Sequence, residues 1–254
     1  MKRLAAWVLP LTSLAVLWII WTAAVAFSGS DIFPRPDQVI LGIGELASRG
    51  VLLNYIVASL FRVTMGFGLA TIVGVPLGLV LGWFRPALLA FNPVIQILRP
   101  ISPIAWIPLA ILWFHVDDRA PIFLIFLASV FPIVVSTVSA VQNIQPVYVR
   151  AAQNFGVKGL DLFRTVVFPA CLPQILTGLR IALGIAWLVV VAAEMIAVNS
   201  GLGYLIIDAR NAGKRYDLVV AGMLMIGLIG LALDTLIRQL ERFDEVKWGV
   251  SGPR

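Results

Sequence analysis

Long apolar runs recur along this chain, and each has to be shielded from water. A helix needs about 20 apolar residues to cross the ~30 Å hydrocarbon core of a bilayer. Runs that reach or approach that length lie at Ala5–Phe27, Val63–Trp83, Ile101–Phe114, Pro121–Val141, Leu176–Ala197 and Leu218–Ile237. In hydrocarbon the backbone polar groups must be satisfied within the segment, so such runs fold as helices. The expected fold is all-α, a polytopic membrane bundle of about six transmembrane helices. Composition excludes the alternatives. Apolar residues make up 60% of the 254 and charged residues 13%, against ~25% charged in soluble domains. The chain is too apolar for intrinsic disorder, and a single cysteine, Cys171, excludes a disulfide scaffold.

The third run is short. It is expected to begin near Leu88 and to take Asn92, Gln96 and Arg99 into a helix that faces protein. The first run has the basic start and the small-x-small triplet (Ala24-Val25-Ala26) of a signal peptide, but it exceeds a signal core of roughly 7–15 residues. The reading is a retained helix within residues 1–30, followed by a bundle over 31–254.

Basic charge sets the orientation. With the N-terminus inside and six crossings, the inner side holds twelve lysines and arginines against four acids, and the outer side seven against seven. Cations favour the cytoplasmic side, so both termini are expected there. The basic balance is then a topology signal, and no nucleic-acid motif accompanies it. Trp83 and Trp113 suit the aromatic belts. Residues 31–36 read as a rigid outer loop, and Asp37–Ala47 as an amphipathic helix lying along the outer surface.

Within the second run, Gly66, Ala70, Gly74, Gly78 and Gly82 recur every four residues and form one smooth helix face. Small residues let helices approach closely in lipid. The face serves packing inside the chain or across a dimer. Between the fourth and fifth runs, Gln145–Pro173 is long and amphipathic and falls on the inner side. Val149, Ala152, Phe155 and Gly156 share one helical face. After a break at Gly156, Leu160, Phe163, Val166 and Val167 share another. Such a helix–turn–helix rests on lipid or docks into a partner's groove.

In this segment Ala151-Ala152, then Gly156, then Val166-Val167-Phe168-Pro169 resembles the EAA loop of ABC-importer permeases, with internal gaps of three and nine residues. Arg150 stands where that family has Glu. Leu98–Phe114, Leu176–Trp187 and Val191–Ile206 look like the nitrate/sulfonate/taurine/bicarbonate branch, and the resemblance covers roughly residues 33–245. It implies a type I ABC importer whose permease core is 31–254. Two permease subunits form the pathway, two cytoplasmic ATPase subunits bind ATP and Mg, and a periplasmic or lipid-anchored binding protein delivers substrate. This chain would bind no cofactor, hold no catalytic residue or metal, and lie in a bacterial inner membrane against lipid. The coupling seat carried over is Arg150 to Phe163, with Ala151, Ala152, Gly156 and Leu160, and Pro169 closing the pattern. The resemblance favours alkanesulfonate or taurine as cargo, with nitrate or bicarbonate next, moved by alternating access. Independently, no phosphate-cradling G-x-x-x-x-G-K-[ST] occurs, and Gly213-Lys214-Arg215 lacks its hydroxyl and first glycine.

Single residues complete the reading. Glu194 is an intramembrane acid, costly by about 3 kcal/mol on insertion scales. It calls for Arg180, Arg99 or Arg62 as partner, and is either a structural or gating group or a pathway-lining one. Glu194→Ala is expected to abolish uptake with assembly intact. Arg99, Ser102 and Trp106 surround Pro100 and Pro103, which should break the third helix. A broken helix lines a cavity or is buried in protein, and its cation and hydroxyl suit a small oxyanion. His115, Asp117 and Asp118 read as a solvated outer turn, Cys171 as packing, and Asp208, Arg210, Lys214, Arg215 and Asp217 as a polar outer loop. The rival functions are a self-contained secondary transporter or channel, which predicts inverted repeats and several intramembrane ionisable groups, and an intramembrane enzyme, which needs a nucleophile–base pair.

Overall fold

The computed structural model describes residues 2–28 and 32–240. Met1, Asp31 and the charged residues Glu241, Arg242, Asp244, Glu245, Lys247 and Arg254, used in the orientation count, lie outside the described residues, as does the expected boundary at 30/31. Among the described residues every regular element is helical: α1 (Lys2–Ser28), α2 (Pro36–Ser48), α3 (Val51–Trp83), α4 (Arg85–Leu98), α5 (Ile107–Phe114), α6 (Arg119–Gln142), α7 (Pro146–Asn154), α8 (Gly159–Leu162), α9 (Phe168–Ala197), α10 (Leu202–Gly213) and α11 (Tyr216–Leu240). A 3₁₀ turn, Pro103–Trp106, precedes α5, and a π turn, Phe163–Val167, joins α8 to α9.

Four stretches are long and apolar enough to span a membrane: Val51–Trp83, Arg119–Gln142, Gly159–Ala197 and Tyr216–Gln239. The pair Arg85–Leu98 and Pro103–Phe114 makes a fifth if taken as one span, bent by 81°. The break falls at Arg99–Ser102, which contains Pro100 and is followed by Pro103, where the sequence expects it. In α1 the apolar stretch is Leu11–Phe27.

The core is α6 sandwiched between α3 and α9. The α3 glycine face explains the close approach. A Cβ on Gly66 would lie 2.7 Å from Ile125 Cβ, one on Gly74 2.9 Å from Ile133 Cγ2, one on Gly78 2.5 Å from Thr137 Cβ and one on Gly82 2.7 Å from Val141 Cβ. Each lies below real carbon–carbon contact, so only bare backbone lets α6 in. Both faces repeat in steps of four or its multiples, which keeps successive turns in register. On the other side of α6, Gly178 of α9 sits against Ser136.

Several sequence expectations need correcting. The second span starts at Val51, not Val63, and its added turns hold Asn54, Ser59 and Arg62. Ser59 and Arg62 are buried in protein, so hydropathy had stopped the helix too soon. Likewise α9 starts at Phe168 rather than Leu176 and takes in Cys171, fully buried beside Val167 and Ile175. The expected outer loop around Arg210 is instead α10, whose Leu202, Leu205, Ile206 and Ala209 are buried. The amphipathic α2 is present and buries Val39 and Leu46, while Ile40 stays exposed. It packs on α11 and α3.

Candidate functional site

Chain direction places two sets of polar residues at opposite ends of the bundle. The segment between α6 and α9, carrying α7 and α8, forms one end. The α5–α6 and α9–α10 turns form the other.

At the first end, α7 closes in a Schellman motif: Val157 N–H donates to Ala152 O at 3.1 Å and Gly156 N–H to Gln153 O at 3.0 Å. Gly156 has φ +84, and no atom lies within 4 Å of a Cβ built there. Its requirement is conformational, since left-handed backbone costs another residue about 1–2 kcal/mol. Gly159 (φ +59) turns the chain again into α8. Beyond it Leu162 and Val167 are buried, and Phe163 packs edge-on against Trp83 at the end of α3, with ring centroids 6.1 Å apart. The faces differ from the sequence reading in two places. Phe155 caps α7 rather than continuing its face and is 88% exposed, and Leu160 points outward. Arg150 and Ala151 are exposed and Ala152 is half-buried. Pro169 stands directly after the π turn, at the start of α9. The result is a short helix–turn–helix braced from beneath by apolar contacts, with Val147, Tyr148, Phe155 and Leu160 facing out.

At the other end, Glu194 of α9 meets Arg62 of α3. Both side chains are buried, at 0% and 1% exposure, and Arg62 Nη1 donates to Glu194 Oε1 at 2.7 Å. Of the three partners the sequence left open, Arg62 is the one used. Arg180 pairs with Asp234 instead, and Arg99 is exposed and makes no ion pair among the described residues. Glu194 Oε2 accepts from Ser59 Oγ at 2.8 Å and from Gly203 N at 3.0 Å. Ser59 Oγ in turn accepts from Leu202 N at 2.9 Å. Two first-turn amides of α10 are thus capped by side chains of α3 and α9, more than a hundred residues away in the first case. The remaining N–H groups of Arg62 donate to Asp118 Oδ1, to Ser200 O at 2.8 Å and to Ser200 Oγ. Gly201 (φ +102) and Gly203 let the α10 start lie against Glu194, where a Cβ on Gly201 would overlap the carboxyl.

Asp118 therefore belongs to this network rather than to a free outer turn. Ser59 and Ser200 escaped the sequence reading, and Asp118 entered it only as part of a solvated turn. Ser59 and Arg62, three apart in an apolar helix, were the available sign, since they share a face. Nearby, Arg215 Nη2 donates to Glu45 Oε2 at 2.7 Å and ties the start of α11 to α2. That hydrogen bond holds the Glu45 carboxyl below the ordinary carboxylate range.

At the break in the bent span, Trp106 lines an apolar hollow of about 80 Å³ with Leu98, Ile101, Pro103, Leu127 and Phe131. Arg99 and Ser102 are exposed on the chain and do not line it. The structure thus does not gather Arg99, Ser102, Trp106 and Glu194 into one site. Among the described residues no group of three or more His, Cys, Asp or Glu could hold a metal ion.

Residues 74–243 match a protein family described as binding-protein-dependent transport system inner membrane component. An ABC transporter permease protein of Methanocaldococcus jannaschii is 41% identical over 92% of this chain and 90% of its own length. The taurine transport system permease protein of Escherichia coli is 35% identical over 92% and 87%, and the nitrate import permease protein of Leptolyngbya laminosa 36% over 89% and 84%. A chain from an inward-facing structure of the MetNI methionine ABC transporter superposes with a TM-score of 0.61, at 20% identity, over 76% of this chain and 97% of that one. That likeness concerns the fold, which is of the type I importer permease kind.

Proposed function

The chain belongs to the family of binding-protein-dependent inner-membrane transport components, as a permease subunit of an ABC importer and not an enzyme, and on that premise we propose how it couples and what it carries. Its partners by family are an ATPase and a substrate-binding protein, and its place is a multi-pass one in the inner membrane. The cargo is a small oxyanion, alkanesulfonate or taurine before nitrate or bicarbonate. Relatives that carry taurine and nitrate support this, as does Arg99, exposed beside a broken span and without an ion pair among the described residues. Two copies of this chain line the pathway, with ATP and Mg bound on the two ATPase subunits and none on this chain. Both termini and the α7–α8 end face the cytoplasm, by the bias of lysine and arginine. A self-contained secondary transporter is not favoured, because the family works through a separate binding protein.

One observation carries the coupling role: an apolar tip, with Phe155 88% exposed, on a helix–turn–helix that is rigidly braced from below. An exposed aromatic on a fixed support fits a groove in a partner. ATP-driven closure of the two ATPase subunits would draw the two tips together and switch the bundle between its states. ATP biases the switch only through its different affinity for those states.

The test is capture of the ATPase by tagged permease from co-expressing cells. Wild type retains it. Gly156→Asp strains the turn by about 1–2 kcal/mol, which lowers capture roughly 5–30-fold. Phe155→Ala lowers it with the fold intact. Full capture by both variants overturns the seat. Cargo is read by uptake into proteoliposomes containing the whole complex: Arg99→Gln should slow taurine uptake while ATPase capture stays at the wild-type level.

A further inference from the structure

The ion-pair network at the end away from α7 and α8 lies outside the coupling loop and outside the proposed anion route. Its geometry is unequal on its two sides. On one side, the Glu194 carboxylate is fully buried and saturated by Arg62, Ser59 and Gly203 N. These contacts join α3, α9 and the first turn of α10. On the other side, Asp118 is half exposed and accepts from Nε and Nη2 of the same guanidinium, at 2.9 and 2.6 Å. Water can replace that partner, whereas nothing can replace Glu194 without leaving a buried charge alone.

Asp118 sits in the turn that ends α5, the second half of the bent span. His115 caps α5 with φ 59 and ψ −164, a backbone region populated essentially by glycine alone. The Arg62–Asp118 contact thus holds a strained turn in place, three residues from the strain. Through the same guanidinium that turn is clasped to Ser200 in the α9–α10 turn.

We propose that Arg62 is a positioning residue for the transport cycle, clasping the turn of the broken span to the α9–α10 turn, and that the clasp releases at Asp118 while Glu194 stays bound. Release frees α5 to move and relaxes His115, while α3, α9 and α10 move as one body. The proposal rests on the importer reading above, and it names which contact at this end is made and broken.

The experiment uses the assembled transporter in nanodiscs, with permease, ATPase and binding protein, and reads ATP hydrolysis with and without substrate-loaded binding protein. Asp118→Asn weakens the releasable half. The expected result is a complex of wild-type yield and melting temperature whose unstimulated hydrolysis rises about threefold or more, with a smaller stimulation ratio. Asp118→Glu keeps the charge and should restore both rates toward wild type. Glu194→Gln, on the fixed half, should instead lower the melting temperature. Wild-type hydrolysis in both conditions for Asp118→Asn overturns the proposal. So does a loss of melting temperature in Asp118→Asn as large as that of Glu194→Gln, because Asp118 would then belong to the fixed body. Failure of the permease to hold an ATPase at all is a separate result, and it strikes the importer reading itself.

Discussion

Arg62 shows how one side chain can be ambiguous in sequence and decisive in structure. Hydropathy places it before the second span, in an outer loop, yet it is buried with every N–H engaged. A network so fully satisfied rigidifies its surroundings, and a partly satisfied one is costly. The consequence for Glu194 differs from the sequence expectation of lost uptake with intact assembly. Glu194→Ala leaves the Arg62 charge buried beside a void and strips Gly203 N and Ser59 of an acceptor. The loss is expected at about 3–5 kcal/mol, seen as a lower melting temperature and poor yield of the purified permease. Glu194→Gln can keep the Ser59 and Gly203 contacts on its one amide oxygen but turns its NH2 toward Arg62, and should fall between. The acid itself was legible, because a carboxylate inside an apolar run demands a partner. The choice among three arginines was not, since Arg62 lies 132 positions away.

Among the elements, α3 was the most legible from sequence. Its four-residue repeat of small side chains announces a close helix contact, and α6 supplies that contact within the same chain. The repeat alone could not say whether the neighbour was internal or a second copy, because both need the same smooth face. Substitution should separate the buried face from the rest of the helix. Gly78→Leu forces a side chain into Thr137 and the α6 backbone, and should cost about 1–3 kcal/mol by overpacking. Gly68→Ala, on the same helix with nothing within 4 Å of its Cβ, should be neutral or gain about 0.5–1 kcal/mol from helix propensity. Unfolding of the two purified variants in denaturing detergent checks the contrast. The α9–α10 region was misread for a local reason. Its charged residues Asp208, Arg210 and Lys214 look like a loop, but Asp208 and Arg210 flank the buried face of a helix and Lys214 caps its end.

At the scale of the whole molecule, the crossings place α7–α8 and the α10–α11 turn at opposite ends of the bundle. Single cysteines at Lys158 and Lys214, in a Cys171→Ala background, should label with an impermeant maleimide from opposite sides of the membrane. By the charge bias, Lys158 should react only in inverted vesicles and Lys214 in intact cells. Labelling of both from one side would contradict a membrane crossing by α9, which separates the two sites. By itself the sequence determined the solvent, the helical class, the approximate spans and the family. All of these depend on local properties: run length, spacing along one helix, and a motif contained in one segment. The tertiary structure alone decided where α3 begins, that α10 is a helix, which arginine neutralises Glu194, and that Asp118 joins them. Those facts depend on burial and on partners far apart in the chain. A polar group in a membrane is affordable only when distant segments satisfy it, and no local pattern specifies which segments those are.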